Sequence, residues 1–224
     1  MAWDTAKTKR LLLDAAVDEF AAHGPEGARI DRVAAAAGVN KERIYPYFGG
    51  KRQLFDAVVQ RELEQLAAAV PLEETDGRPV DLPEYAGRVF DYHLDHPHLL
   101  RLLQWEALYG DPAAPVAGEE RRAAHYAEKL TAVSLARGGA TDSADSVRGG
   151  APLAPGELLY AVVALAGWQF AAPQLARMIL GGPVGGPVGG AAGGAAGGGA
   201  GGGAGGDPAA RRAAVVDMVR RLVG

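Results

Sequence analysis

The 224-residue chain contains no cysteine, so disulfides, thiolate metal sites and cysteine nucleophiles are all excluded. Lysine is scarce, 5 of 23 basic residues, and heavy alanine and glycine use accompanies it. That bias reflects a GC-rich coding genome and says little about function. No run of about 18 apolar residues is free of charge or glycine, so no membrane-spanning helix is expected. The opening MAWDTAKTKRLLLDAAVDEF turns acidic where a secretion signal needs its apolar stretch. A cytoplasmic protein is expected. A phosphate-cradling loop is also lacking, because GGPVGG has neither the lysine nor a strand-to-helix setting. With no nucleophile–base pairing in view, the chain is not expected to be an enzyme and no cofactor is implied.

What is present is ample core material, 48% hydrophobic residues, and an uneven charge distribution. Residues 1–52 hold 9 Lys/Arg against 7 Asp/Glu, while residues 53–224 hold 14 against 20. A mildly basic head on an acidic body can meet phosphates locally and stay soluble as a whole.

Periodicity predicts an all-α chain. Leu13, Ala16, Val17, Phe20 and Ala21 form one stripe of a helix over 8–23, stopped by Gly24 and Pro25. Ile30, Val33, Ala34 and Ala37 mark a second helix that Gly38 ends. Asn40 is a good cap for a third, covering Lys41 to Tyr45 and stopping near Pro46. A longer helix starts at Lys51, with Phe55, Val59, Leu63 and Leu66 on one face, and ends before Pro71. Further helices are expected at 82–95, 97–109, 112–137, 154–180 and 207–223. Residues 181–206 carry 16 of the 32 glycines and read as a flexible linker. As a random coil such a tract spans roughly 28 Å.

Two short helices joined by a tight glycine turn, the second short and basic, form a helix-turn-helix pattern. Asn40, Lys41, Glu42 and Arg43 then sit at its groove-facing end. Arg43 suits a bidentate guanine contact, and Lys41 suits a phosphate or a base acceptor. Tyr47 fits either a phosphate contact or surface packing, and Lys51 opens a helix whose N–H groups favour an anion. Arg29 and Arg32 face DNA or are simply exposed. Ile44, Phe48, Phe55 and Tyr45 read as core.

Residues 8–59 resemble the DNA-binding domain of TetR-family transcriptional regulators. The matching stretches are DEFAAHG, VAAAAGV, NKERIYPYF and GGKRQLF. The resemblance implies that Asn40, Lys41 and Arg43 read DNA while Tyr47 and Lys51 grip phosphates. Two departures stand out: Arg29 occupies the usual Thr or Ser position that caps the second helix, and Gly50 replaces the usual Ser before Lys51. Arg29 can take over a phosphate contact but not the cap.

The expected architecture is therefore a helix-turn-helix domain of three helices over 1–52, then a larger helical ligand-binding and dimerisation domain over 53–224. GELLYAVVALAGWQFAAPQLARMIL is apolar nearly all round and must be buried within the fold or against a partner. With the amphipathic C-terminal helix, whose stripe is Val215, Met218, Val219 and Leu222, it is expected to build a homodimer interface. Tyr92, Trp105, Tyr109, Tyr126 and Trp168 are candidates to line a small-molecule pocket, although each also fits ordinary core or surface packing. DYHLDHPH groups three histidines and two aspartates, but Pro97 breaks the helix there and no distant ligand is signalled, so no metal is expected.

The function read from all this is a ligand-responsive repressor on a palindromic double-stranded DNA operator. A small molecule would release it. The alternative is a helical protein-interaction adaptor with a degenerate DNA-binding domain.

Overall fold

The structure, a computed structural model, describes residues 5–72, 80–111, 113–138, 153–181 and 207–224. Apart from Gly181, the glycine-rich tract lies outside the described residues. Among the described residues there are ten α-helices, one 3-10 turn and no strand. The helices are α1 (Thr5–Gly27), α2 (Ile30–Ala37), α3 (Ile44–Phe48), α4 (Lys51–Ala69), α5 (Leu82–Asp95), α6 (His98–Tyr109), α7 (Glu119–Gly138), α8 (Pro155–Ala171), α9 (Pro173–Leu180) and α10 (Pro208–Val223). The 3-10 turn, Lys41–Arg43, runs directly into α3.

The chain packs as two compact units. The first comprises residues 1–69 and 96–123, and the second 70–95 and 124–224. The first unit thus draws helix α6 and the start of α7 into the packing around the helix-turn-helix segment. Its core joins Leu12, Ala16 and Phe20 of α1, Val33 of α2, Ile44 of α3, Phe55 and Val59 of α4, and Leu102 of α6. Phe20 and Phe55 meet edge to face with ring centroids 5.2 Å apart. In the second unit, α5 packs against both α8 and α10. Arg212 of α10 donates from Nε to Asp91 (2.7 Å) and from an η nitrogen to Glu84 (2.8 Å), both on α5. It does so across Gly87, where a Cβ would meet the guanidinium at 2.8 Å.

Helix α1 breaks where Gly24 and Pro25 predict. Gly24 sits at φ 66°, ψ 176°, and the chain resumes one helical turn to Gly27. Three expectations need correction. The third helix does not stop at Pro46: a 3-10 turn comes first and α3 then runs through the proline to Phe48. Pro46 is the third residue of α3, within the first turn, where a missing N–H breaks no bond of that helix. Gly49, at φ 87°, ends it.

The second correction concerns residues 154–180, which form two helices bent by 94° rather than one. Pro173 disfavours helical backbone at the residue before it, and Ala172 accordingly sits at φ −125°, ψ 63°. Among the described residues no single helix is long and apolar enough to cross a membrane. Third, α7 starts at Glu119, not near 112. The preceding stretch is held in turns, where Asp111 accepts from Ala113 N–H and Glu119 from Val116 N–H (both 2.9 Å).

Candidate nucleic-acid interface

The helix-turn-helix segment is built by local capping. Asn40 Oδ1 accepts from Glu42 N–H at 2.9 Å, which starts the 3-10 turn as a cap should. Lys41, Glu42 and Arg43 are exposed on that turn, while Ile44 behind them is fully buried. One buried residue therefore fixes the segment and leaves the polar side chains outside. Tyr45 is also outside, 60% exposed. The expectation that it belongs to the core is wrong, because the switch from 3-10 to α rotates it away from Ile44. It adds an aromatic hydroxyl to the exposed face that sequence reasoning missed.

Helix α2 starts without a Ser or Thr cap, and a glutamate of α1 makes up the loss. Glu19 Oε1 accepts from Arg29 N–H at 2.7 Å. The same carboxylate accepts from Arg32 Nε at 2.8 and 2.9 Å. Burial alone would raise the Glu19 carboxyl, but the hydrogen bonds from Arg32 and from the Arg29 backbone outweigh it and hold it below the ordinary range. The Arg29 side chain is left exposed beside this anchor.

Lys41 pairs with Asp31 of α2, Nζ to Oδ1, at 2.9 Å, and the bond raises its pKa. Tyr47 is half-buried against the core, with Lys9 Nζ 5.8 Å from its ring centroid. Lys51 is half-buried too. Its Nζ donates to the carbonyls of Glu26 (3.0 Å) and Ala28 (3.5 Å), so it ties the start of α4 to the connection between α1 and α2. An ammonium has three donors, and two are used here.

The first unit also holds buried acids. Glu62 of α4 is buried and lies 2.9 Å from His98 Nε2, while accepting from Arg61 at 2.9 and 3.2 Å. Desolvation raises its pKa, but the His98 and Arg61 bonds prevail and hold the carboxyl below the ordinary value. Glu106 of α6 takes a two-pronged contact from Arg122 at 2.8 and 2.9 Å.

The five pocket candidates divide between the two units. Trp105 and Tyr109 belong to the first unit, with ring centroids 5.6 Å apart. Trp105 donates to Ala21 O at 3.3 Å and lies over Gly24, where a Cβ would meet its ring at 2.8 Å. It also lines a shallow groove of about 550 Å³ with Ala21, Arg101, Gln104 and Leu108. Tyr92, Tyr126 and Trp168 belong to the second unit: Tyr92 is buried, Tyr126 is half-exposed and Trp168 is 62% exposed. Sequence reasoning missed Lys129, which is buried and donates to the Tyr85 hydroxyl at 2.8 Å. A separation of 44 positions in sequence hides the pair from any local pattern.

A capped helix-turn-helix with exposed basic residues, followed by a second helical unit, defines a DNA-binding regulator. Two family models match the chain. One, of bacterial regulatory proteins of the tetR family, covers residues 12–58, and the other, of the tetracyclin repressor-like C-terminal domain, covers residues 81–182. The HTH-type transcriptional repressor SCO4008 of Streptomyces coelicolor is 42% identical over 182 residues, 80% of this chain and 86% of that protein. The putative transcriptional regulator SCO4942 of the same species shares 30% identity and the fold, with a TM-score of 0.68 over 96% of this chain and 97% of that one. AibR, solved in complex with isovaleryl coenzyme A and operator DNA, has the same fold at 16% identity, with a TM-score of 0.50 over 73% of this chain and 85% of its own. The chain belongs to the TetR family of transcriptional regulators.

Proposed function

We propose that the protein is a homodimeric, effector-responsive repressor that acts in the cytoplasm on a near-palindromic operator. Residues 1–52 supply the DNA-reading part and the chain from 53 onward supplies effector binding and dimerisation. Arg43 reads a base from the exposed turn. Asn40 and Lys41 flank it, and Arg29 and Tyr47 meet phosphates on either side. Lys51 contributes its remaining donor and positive charge at the head of α4. The observation that carries this reading is the anchoring of the exposed Lys41–Arg43 turn by fully buried Ile44 and the Asn40 cap. The helix start that Arg29 left in question is secured by Glu19, so nothing about α2 favours a degenerate domain.

The dimer reading rests on uncovered apolar surface. Tyr160, Ala164 and Trp168 recur every fourth residue along α8 and are all exposed, while Leu158, Val162 and Ala166 are buried. Met178 and Ile179 on α9 are 72% and 70% exposed. A second copy of the chain covers such a face by twofold symmetry. The similarity to a repressor across four-fifths of the chain supports repression, and AibR, with the same fold, was solved with isovaleryl coenzyme A and operator DNA together, which supports a small-molecule response.

Selection of binding sites from random DNA tests the whole reading. The enriched sequence is expected to be a near-palindrome with half-sites about 34–36 Å apart or a multiple of that spacing. Arg43→Ala should flatten the preference at one position of each half-site. No enriched sequence, or an asymmetric one, would overturn the proposal.

A further inference from the structure

We propose that Lys129 and Tyr85 form the recognition point for a carboxylate-bearing small molecule in the second unit. This names the chemical class of the effector and rests on the effector-responsive reading above.

Lys129 of α7 is only 7% exposed, yet no Asp or Glu pairs with it among the described residues. Its Nζ has one acceptor, the Tyr85 hydroxyl at 2.8 Å, and sits 5.1 Å from that ring's centroid. Among the described residues two of the three ammonium donors are therefore unused, and so is the proton of the Tyr85 hydroxyl. A buried cation without an anion costs several kcal/mol in folding, by the penalties typical of unpaired interior charge. Burial draws Lys129 down to about 8 and pushes Tyr85 up to about 12, so both keep their protons at neutral pH and act as donors. Two neighbours also act on Tyr85: the Tyr126 phenol, which pushes it further up, and Arg88, which pulls it back. Among the described residues the place therefore offers positive charge and spare donors with no carboxylate, which is the complement of a carboxylate ligand.

His125 and Tyr126, four and three residues before Lys129, share its helix face and are half-exposed. The exposed ring of Tyr126 offers a wall for the apolar body of a small acid. Among the described residues Lys129 is the one cation in hydrogen-bond contact with the Tyr85 phenol, an arrangement suited to a monoanion such as a carboxylate.

Hexanoate and benzoate are the probes, each set against its neutral amide, hexanamide and benzamide. Thermal unfolding and operator gel shifts are followed in wild type, Lys129→Met and Lys129→Arg. Without ligand, Lys129→Met should melt at or above wild type, since removal of the uncompensated charge offsets the lost hydrogen bond to Tyr85. Carboxylates should raise the wild-type midpoint and release operator, while the amides do neither. Lys129→Met should weaken carboxylate binding about tenfold or more, as expected for loss of charged hydrogen bonds. Lys129→Arg should keep part of the response. A Lys129→Met midpoint several degrees below wild type would make the lysine a structural strut and overturn the proposal. Equal responses to acid and amide, no response to either, or a response to inorganic phosphate alone would also overturn it. If carboxylates bind through Lys129 but no DNA sequence is selected, the regulator reading fails and this site stands. Selected DNA without a Lys129-dependent response sinks this site alone.

Discussion

The two packed units treat buried charge in opposite ways. In the first, each buried acid has a cation: Glu62 is held by Arg61 and His98, and Glu106 by Arg122. In the second, Lys129 is buried with a phenol for company, and the apolar stripe of α8 faces outward. The first unit is internally balanced, as a part that must present a fixed surface to DNA should be. Among the described residues the second leaves both a charge and an apolar face unmatched, as the proposed effector and dimer partner would require.

The contrast can be broken most forcefully at Glu62. Glu62→Ala strands Arg61 and His98 and should cost about 3–5 kcal/mol, the typical loss on breaking a buried ion pair from one side. Denaturant unfolding measures it, and a loss under 1 kcal/mol would show the network to be incidental. Because the folded Glu62 carboxyl titrates below its ordinary value of 4.5, its contribution is intact above that pH and disappears as pH falls through the depressed value. Stability measured from pH 6 downward should therefore fall less steeply in Glu62→Gln than in wild type.

Gly24→Ala follows. The added methyl group meets the Trp105 ring at 2.8 Å, at a positive φ that alanine adopts poorly. A loss of about 1–3 kcal/mol is expected from overpacking. Gly24→Ala combined with Trp105→Leu should recover part of it, and an unchanged melting temperature in the single variant would place Trp105 elsewhere.

In the second unit, Trp168→Glu puts a charge into the exposed α8 stripe. Sedimentation should then report a monomer where the proposed wild-type dimer is expected, with helicity unchanged. A variant that stays dimeric moves the interface off α8.

The smallest structural effect is expected for Lys41→Ala. Its ion pair with Asp31 is exposed on both sides, so the melting temperature should hardly move. Operator affinity should drop all the same, and the slope of log K against log salt should flatten by about one unit if a phosphate contact is lost.

What could be read from sequence divides along the same line. The helix-turn-helix was legible because its signals are local: Gly24–Pro25, Gly38 and the Asn40 cap each act within a few residues. The failures there were also local and come from turn chemistry. Pro46 was read as a stop because a 3-10 entry had not been allowed for, and Tyr45 was misplaced by the same rotation. In the second unit the apolar character of α8 is legible, but its one exposed stripe and the break at Ala172 are not, although Pro173 announces the break. The pairs that define the chemistry, Glu62 with His98, Tyr85 with Lys129 and Asp91 with Arg212, lie 36, 44 and 121 residues apart. No periodic pattern links such positions. The five aromatic candidates were chosen by residue type, which does not register that two of them pack in one unit and three in the other.

The short α3 segment has a further implication. Asn40 pins its front, Pro46 restricts its interior and Gly49 closes its rear, while Ile44 alone roots it in the core. None of these four anchors is a residue proposed to read a base except Asn40, whose oxygen is already engaged. Lys41, Glu42, Arg43 and Tyr45 can therefore be exchanged without remaking the scaffold. If the proposed contacts hold, target preference in this regulator would be an interchangeable module, open to drift in nature and to reprogramming at the bench.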